Sequence, residues 1–310
     1  MRLVKLSLIL GAAVLFAPPA LACVNVAFTG PTEVSGWNPL TGGTGVATFT
    51  ATATRMSSTT RSARIIFRDG DSGTTFLGPN GSPNGPRYEI KDPGGVIVSA
   101  PVSTAPLNTG PGPHFSWGNN TTTDVSGPIN FTISVLPNSS NQDFVGGTPY
   151  SEALTYSIQC FLNNNNPQNP AITGSAPTIS LTVPRVISLT SASAAAINFG
   201  NFTSTSDTVN IMLKSTSTVN VSVNTLFGSS STNQMVLSGA SMPYATNATI
   251  PYSMTLNGAA VFKGSVRPNQ TRGGQIGATY PLVLTLPGQP SGKIAGNYSD
   301  TITLTLTPGI

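Results

Sequence analysis

The chain has 310 residues, with 14 basic and 10 acidic side chains, one histidine and a formal net charge of +4. Only 8% of residues are charged and the basic ones are scattered, so the chain lacks the cationic stripe of a nucleic-acid binder. The lone His114 leaves no two-histidine zinc site, and no glycine-rich stretch follows a strand–loop–helix pattern, so no enzymatic activity, metal or cofactor is expected.

The chain opens as an export leader. Arg2 and Lys5 give a positive start, Leu6 to Phe16 an apolar run, and Ala20-Leu21-Ala22 a small-x-small cleavage site. Residues 1–22 are therefore predicted to be a signal peptide, with Cys23 first in the exported chain. A lipid-anchored start at Cys23 is disfavoured, because Ala20 stands where lipoprotein signals place a large aliphatic residue.

Beyond the leader, short runs rich in Val, Ile, Phe, Tyr and Thr alternate with Gly, Pro, Asn and Asp, and no helical apolar period is sustained. The fold class predicted is all-β. Cys23–Phe28, Val46–Thr52, Ala63–Phe67, Tyr88–Ile90, Gly95–Val98, Ile129–Val135 and Ala153–Gln159 read as strands, the number an immunoglobulin-like sandwich needs. Asp69-Gly-Asp71 between them reads as turn chemistry rather than a calcium loop. Cys23 and Cys160 bracket this set, and in an oxidising compartment two cysteines allow a single pairing.

Residues 163–177 are polar and punctuated by proline, and read as a connector. The expected division is thus an N-terminal domain at 23–162, a linker at 163–177 and a C-terminal domain at 178–310. Strands of the second domain are predicted at Thr178–Val183, Val209–Leu213, Val219–Val223, Ile250–Leu256 and Tyr280–Leu286. In the last run Ile302, Leu304, Leu306 and Ile310 alternate with polar residues.

That last run, Gly296-x-Tyr298-Ser-Asp300-Thr-Ile302-Thr-Leu304, closely resembles the ending of spore coat protein U domains, the subunits of archaic (Csu-type) chaperone–usher pili. Ile197-Asn-Phe-Gly-Asn-Phe202 and Ile250-Pro-Tyr-Ser-Met-Thr-Leu256 are similar to two further family segments, in the expected order. The N-terminal domain matches more faintly, and the C-terminal one departs from the family in having no disulfide. The resemblance implies two immunoglobulin-like sandwiches, the second lacking one strand. A periplasmic chaperone lends that strand until a neighbouring pilin subunit donates its own at the outer-membrane usher. It also assigns Ile302, Leu304, Leu306 and Ile310 to the edge that meets the chaperone. Cys23 falls at the very start of the exported chain, so no donor peptide is expected ahead of the first strand. That feature points to the tip subunit of a fimbrium at the cell surface. A non-tip subunit and a secreted coat or matrix protein are the competing readings.

Apolar residues in turn-rich stretches of the N-terminal domain are the candidates for surface attachment: Trp37 and Leu40, Phe76 and Leu77, Phe115 and Trp117, and Phe144 and Val145. If exposed, they suit hydrophobic adhesion to an abiotic or host surface and biofilm formation. A carbohydrate-binding lectin is the alternative, and inward packing that plugs the ends of the sandwich is the bland one.

Overall fold

The computed structural model describes residues 23–68, 85–100, 114–118, 122–138, 142–162 and 166–310. The predicted leader, the Asp69-Gly-Asp71 turn and the Phe76–Leu77 stretch lie outside these residues.

Among the described residues domain one has nine strands: β1 (Val24–Thr29), β2 (Gly45–Arg55), β3 (Ser62–Arg68), β4 (Tyr88–Lys91), β5 (Ser99–Ala100), β6 (Phe115–Ser116), β7 (Ile129–Val135), β8 (Pro149–Phe161) and β9 (Pro167–Thr182). One sheet runs β1-β2-β7-β4, and the other β5-β3-β8-β9 with β6 paired to β3. Period-2 burial along β2 turns Ala47, Phe49, Ala51 and Ala53 inward. The sheets meet through aromatic rings: Phe67 of β3 stands edge-on to Phe49 of β2 at 5.2 Å and to Phe131 of β7 at 5.0 Å. Cys23 and Cys160 are joined, with Cα atoms 6.5 Å apart, tying the start of β1 to the end of β8 across the two sheets.

The expected linker is instead part of a strand. β9 pairs antiparallel with β8 from Phe161↔Pro167 to Pro149↔Thr182. Its Ile179, Leu181 and the following Val183 belong to the core of domain one. The prolines are accommodated because β9 lies at the edge of its sheet, where a missing N–H removes no ladder bond on the outer side. Pro170 and Pro177 fall within the two register shifts of the pairing. The core cluster of domain one thus runs as far as Val183, and Ile187 already packs against that of domain two.

His114 is buried beneath this sandwich wall. Its Nδ1 accepts from the Ile65 amide at 3.2 Å, and its Nε2 lies 3.5 Å from Asp92 Oδ2. Burial pushes its pKa below the usual histidine value. The nearby Arg64 charge adds to this, and Asp92 offsets part of it. The unfolded chain therefore takes up a proton at His114 more readily than the folded one, so stability is full above about pH 6.5 and falls as the pH drops through the window below it. Melting between pH 7.5 and 5.5 should show this loss, and His114→Gln should flatten the dependence. An unchanged slope in that variant would remove His114 as its source.

Domain two contains β10 (Ile187–Leu189), β11 (Ser206–Ser215), β12 (Val219–Thr225), β13 (Asn233–Leu237), β14 (Thr249–Leu256), β15 (Ala259–Ala260), β16 (Val266–Gln270), β17 (Gly274–Thr285), β18 (Tyr298–Ser299) and β19 (Ile302–Pro308). The large sheet runs β10-β11-β17-β14-β13-β18 with β15 on β14, and the small one β16-β12-β19. Among the described residues the one helical element is a 3-10 turn at Thr246–Ala248. The core between the sheets is mostly aliphatic, built on Leu213, Val219, Val221, Leu256 and Leu282, with Phe199, Tyr252 and Tyr280 the buried rings. The fold is all-β with two sandwiches, as the alternation implies.

Candidate functional site: an open strand edge

β19 alternates strictly. Ile302, Leu304 and Leu306 pack against the core of domain two, while Thr303, Thr305 and Thr307 face outward. On one side it pairs with β12 along its whole length, from Ile302↔Thr225 to Pro308↔Val219. On its other side no strand pairs with it among the described residues.

The burial pattern records the same gap. The inward residues of the neighbouring β12, Val219, Val221 and Val223, are fully covered, yet Ile302, Leu304 and Leu306 are only half-buried. Near β19, the three-residue β10 pairs solely with β11, and its Ile187 is likewise half-covered. Ile197 and Phe202, in the connection after β10, complete a set of partly buried apolar side chains packed on this core that no strand covers among the described residues. An unpaired edge beside half-exposed core side chains is costly, because backbone N–H and C=O groups and apolar surface both face solvent. Strand addition in general uses this geometry, an unpaired edge with alternate apolar side chains beside it. Ile310 lies beyond the end of β19 and is fully exposed.

The three signature segments converge on the start of β19. Asp300 Oδ2 accepts from the Tyr252 hydroxyl of β14 at 2.6 Å, and its Oδ1 accepts from the amides of Phe227 at 3.2 Å and Thr301 at 2.7 Å. The Tyr252 pKa is pushed upward, first by burial and then by the Asp300 bond and charge, so the phenol stays a donor. Tyr298 donates to the carbonyls of Ile294 and Asn247. At Gly296, φ is +155°, and a Cβ would stand 2.5 Å from Leu237 Cδ1. In the first signature segment Phe199 is buried in the core, and the Phe202 ring lies 6.5 Å from that of Tyr298. Sequence reasoning singled out the apolar residues of β19 but not Asp300 as the group that fixes where the strand begins.

With this geometry in view, comparison with known proteins returns distant likenesses. No protein-family model matches the chain, and no curated protein sequence matches it. Among solved structures, it is similar to the chaperone–tip adhesion subunit pre-assembly complex CsuC–CsuE from archaic chaperone-usher Csu pili of Acinetobacter baumannii. Identity is 12%, coverage 90% of this chain and 99% of that one, and the TM-score 0.44. The CupB6 tip adhesin of Pseudomonas aeruginosa shares 14% identity over 91% and 93% of the two chains, with a TM-score of 0.36. CfaE, the adhesive subunit of CFA/I fimbria of enterotoxigenic Escherichia coli, shares 13% over 91% and 81%, with a TM-score of 0.32. With TM-scores this low, the functional reading rests on the chain's own geometry.

The aromatic side chains expected on loops, where the residues are described, turn inward; Phe76 and Leu77 lie outside the described residues. Trp37, Phe115, Trp117 and Phe144 are 3%, 0%, 6% and 4% exposed, all within the core of domain one. Trp37 donates its indole N–H to the Leu136 carbonyl and meets Phe144 edge-on at 5.0 Å. Phe115 sits in β6, against the start of β3. These rings are part of the buried core of domain one. Leu40 is half-buried and Val145 exposed, but Val145 belongs to a loop that faces domain two. The pole away from domain two is marked by the far end of β2. There Arg55 is wholly buried, its guanidinium 3.1 Å from Asp124 Oδ2 and bonded to the Thr60 carbonyl. Beside it Met56 and Val125 are 52% and 63% exposed. No periodicity in the sequence marks those two.

Proposed function

We propose that this chain is a tip adhesin of an archaic chaperone–usher fimbrium, exported through the periplasm to the cell surface. Domain two accepts a donated strand and domain one makes the surface contact. The open edge of β19, with Ile302, Leu304 and Leu306 half-covered beside it, carries the reading. A periplasmic chaperone fills the edge first. A neighbouring pilin subunit replaces it at the usher, each making main-chain bonds to β19 and seating alternate apolar side chains against the core. Tip position is supported by β1, which from Val24 onward is paired to β2 and, through Cys23, stapled to β8, so it is committed to domain one. Attachment is assigned to the pole carrying Met56 and Val125, through apolar contact with an abiotic or host surface in biofilm formation. Such contact is worth roughly 25 cal/mol per Å² removed from water.

The test is co-purification from periplasm with the fimbrial chaperone. The chain is expected in a one-to-one complex. Leu304→Asp and Leu306→Asp should abolish recovery of the complex, because each places a charge where an apolar side chain meets the inserted strand. Met56→Ser with Val125→Ser should reduce attachment of fimbriated cells to polystyrene without disturbing the complex. A chain that is soluble alone, with slowly exchanging amides along the outer edge of β19, would overturn the strand-acceptor reading.

A further inference from the structure

Three pairs of oppositely charged Arg or Lys and carboxylate side chains occur among the described residues, and two of them lie inside domain one. The third crosses the boundary. Arg272, in the connection between β16 and β17, donates Nη1–H to Asp143 Oδ1 and Nη2–H to Asp143 Oδ2, both at 2.6 Å. The same Nη1 reaches the Phe144 carbonyl at 3.4 Å. This two-pronged fit restricts orientation as well as distance, which a single lysine contact would not do.

The surrounding contacts converge on the same place. Gln275 Nε2 donates to the Pro39 carbonyl at 2.5 Å, and the Gly146 amide donates to the Thr216 carbonyl at 2.7 Å. Thr216 also ties down the short connection between the domains: its Oγ1 donates to the Pro184 carbonyl and accepts from the Val186 amide. A glycine with positive φ also stands beside the Asp143 carboxylate. Gly274 has φ +58°, and a Cβ there would stand 2.8 Å from Asp143 Oδ1. The two loops that carry Trp37 and Phe144 into the core of domain one thus also form its contact with domain two.

We infer that Asp143 and Arg272 form a latch that holds the two sandwiches as one rigid body, closing what would otherwise be a hinge at residues 184–186. Relative motion is the ordinary state of two domains joined by a small polar interface, so the latch is what sets the angle between them. Arg272 is 27% and Asp143 50% exposed, so salt reaches the pair and weakens it. A rigid junction passes a pull on domain two straight to the far pole of domain one, and a released one lets that pole swing.

The test measures the distance between spin labels at Thr48→Cys and Asn210→Cys, exposed outward positions on β2 and β11, in the full chain in the complex in which it is purified. A single narrow distribution is expected in dilute buffer. It should broaden by at least about twofold in Asp143→Asn, in Arg272→Gln and in Gly274→Ala, since free domains reorient. The unaltered latch should broaden likewise in about 1 M salt, where the screening length falls to about 3 Å. The salt titration needs no substitution at the junction, so it stands even if a variant folds poorly. Distributions that stay narrow in salt and in all three variants would overturn the latch. If the chain proves to purify without a partner, the same distances are read on the chain alone, so failure of the strand-acceptor reading and failure of the latch are told apart.

Discussion

Replacing Cys23 and Cys160 with alanine is expected to lower the stability of domain one by about 4–5 kcal/mol. The bridge spans 137 positions, and in the chain-entropy model a closed loop of that length removes this much freedom from the unfolded state. The figure is an upper one, because residual structure in the unfolded chain already restricts it. A domain's whole margin is about 5–15 kcal/mol, so domain one should stand near its threshold without the bridge. At about 2–4 °C per kcal/mol for a domain of this size, its melting should drop by about 10–15 °C. The site adds a local reason. The main-chain carbonyl of Cys23 accepts from the Met56 amide at 2.9 Å, so losing the staple also frees the loop beyond β2 that carries the exposed pole. Hydrogen exchange read by mass spectrometry separates the domains. Amides of β1 and β8 should lose protection in the alanine pair, while those of β14 and β17 keep theirs, since domain two holds no cysteine. A stability change below about 1 kcal/mol would show that the core of Phe49, Phe67 and Phe131 holds the sheets together unaided.

What was legible in the sequence follows from what alternation can and cannot express. β2, β7, β14 and β19 are visible because one face of each is apolar and the other polar, and the disulfide is visible because two cysteines have one pairing. Residues 167–177 read as linker because Pro-Gln-Asn-Pro at the start of β9 carries composition that only an edge strand tolerates. Thr178–Val183 reads as a strand but of the second domain, whereas it completes β9 and packs in the core of domain one. Edge position is a property of the sheet, not of the segment. The loop aromatics failed for a related reason. Turn residues around Trp37 and Phe144 locate a bend but not the direction of a side chain, and both rings turn inward into the core of domain one. The Asp143–Arg272 contact, with 129 positions between its members, has no local signal at all. The alternation of Ile302, Leu304 and Leu306 marks β19 as a strand with one apolar face, but only the structure shows that its outer edge is unpaired among the described residues and that these side chains are half-covered.

Asp300→Ala is expected to cost about 2–4 kcal/mol and to act on β19 more than on the rest of domain two. One carboxylate serves three donors: the Tyr252 hydroxyl from the opposite sheet, the Phe227 amide from the loop after β12, and the Thr301 amide beside it. Hydrogen bonds to a charged acceptor contribute about 1.5–3 kcal/mol, and deleting the acceptor leaves a buried phenol without its partner. Tyr252→Phe removes the donor together with its need, so it should cost only about 1–2 kcal/mol. In the double variant the losses should fall short of additive, because both substitutions break one bond. Urea unfolding of the four proteins gives that coupling directly. A cost within about 0.5 kcal/mol for Asp300→Ala would mean that the Leu226 amide bond to the Thr301 carbonyl anchors the strand by itself. The functional consequence can be read separately. An unfilled edge needs a fixed register to receive a partner, and Asp300 fixes the residue at which β19 begins. Its loss should therefore weaken recovery of the chaperone complex in Asp300→Ala more than in Tyr252→Phe, even at a temperature where both variants remain folded.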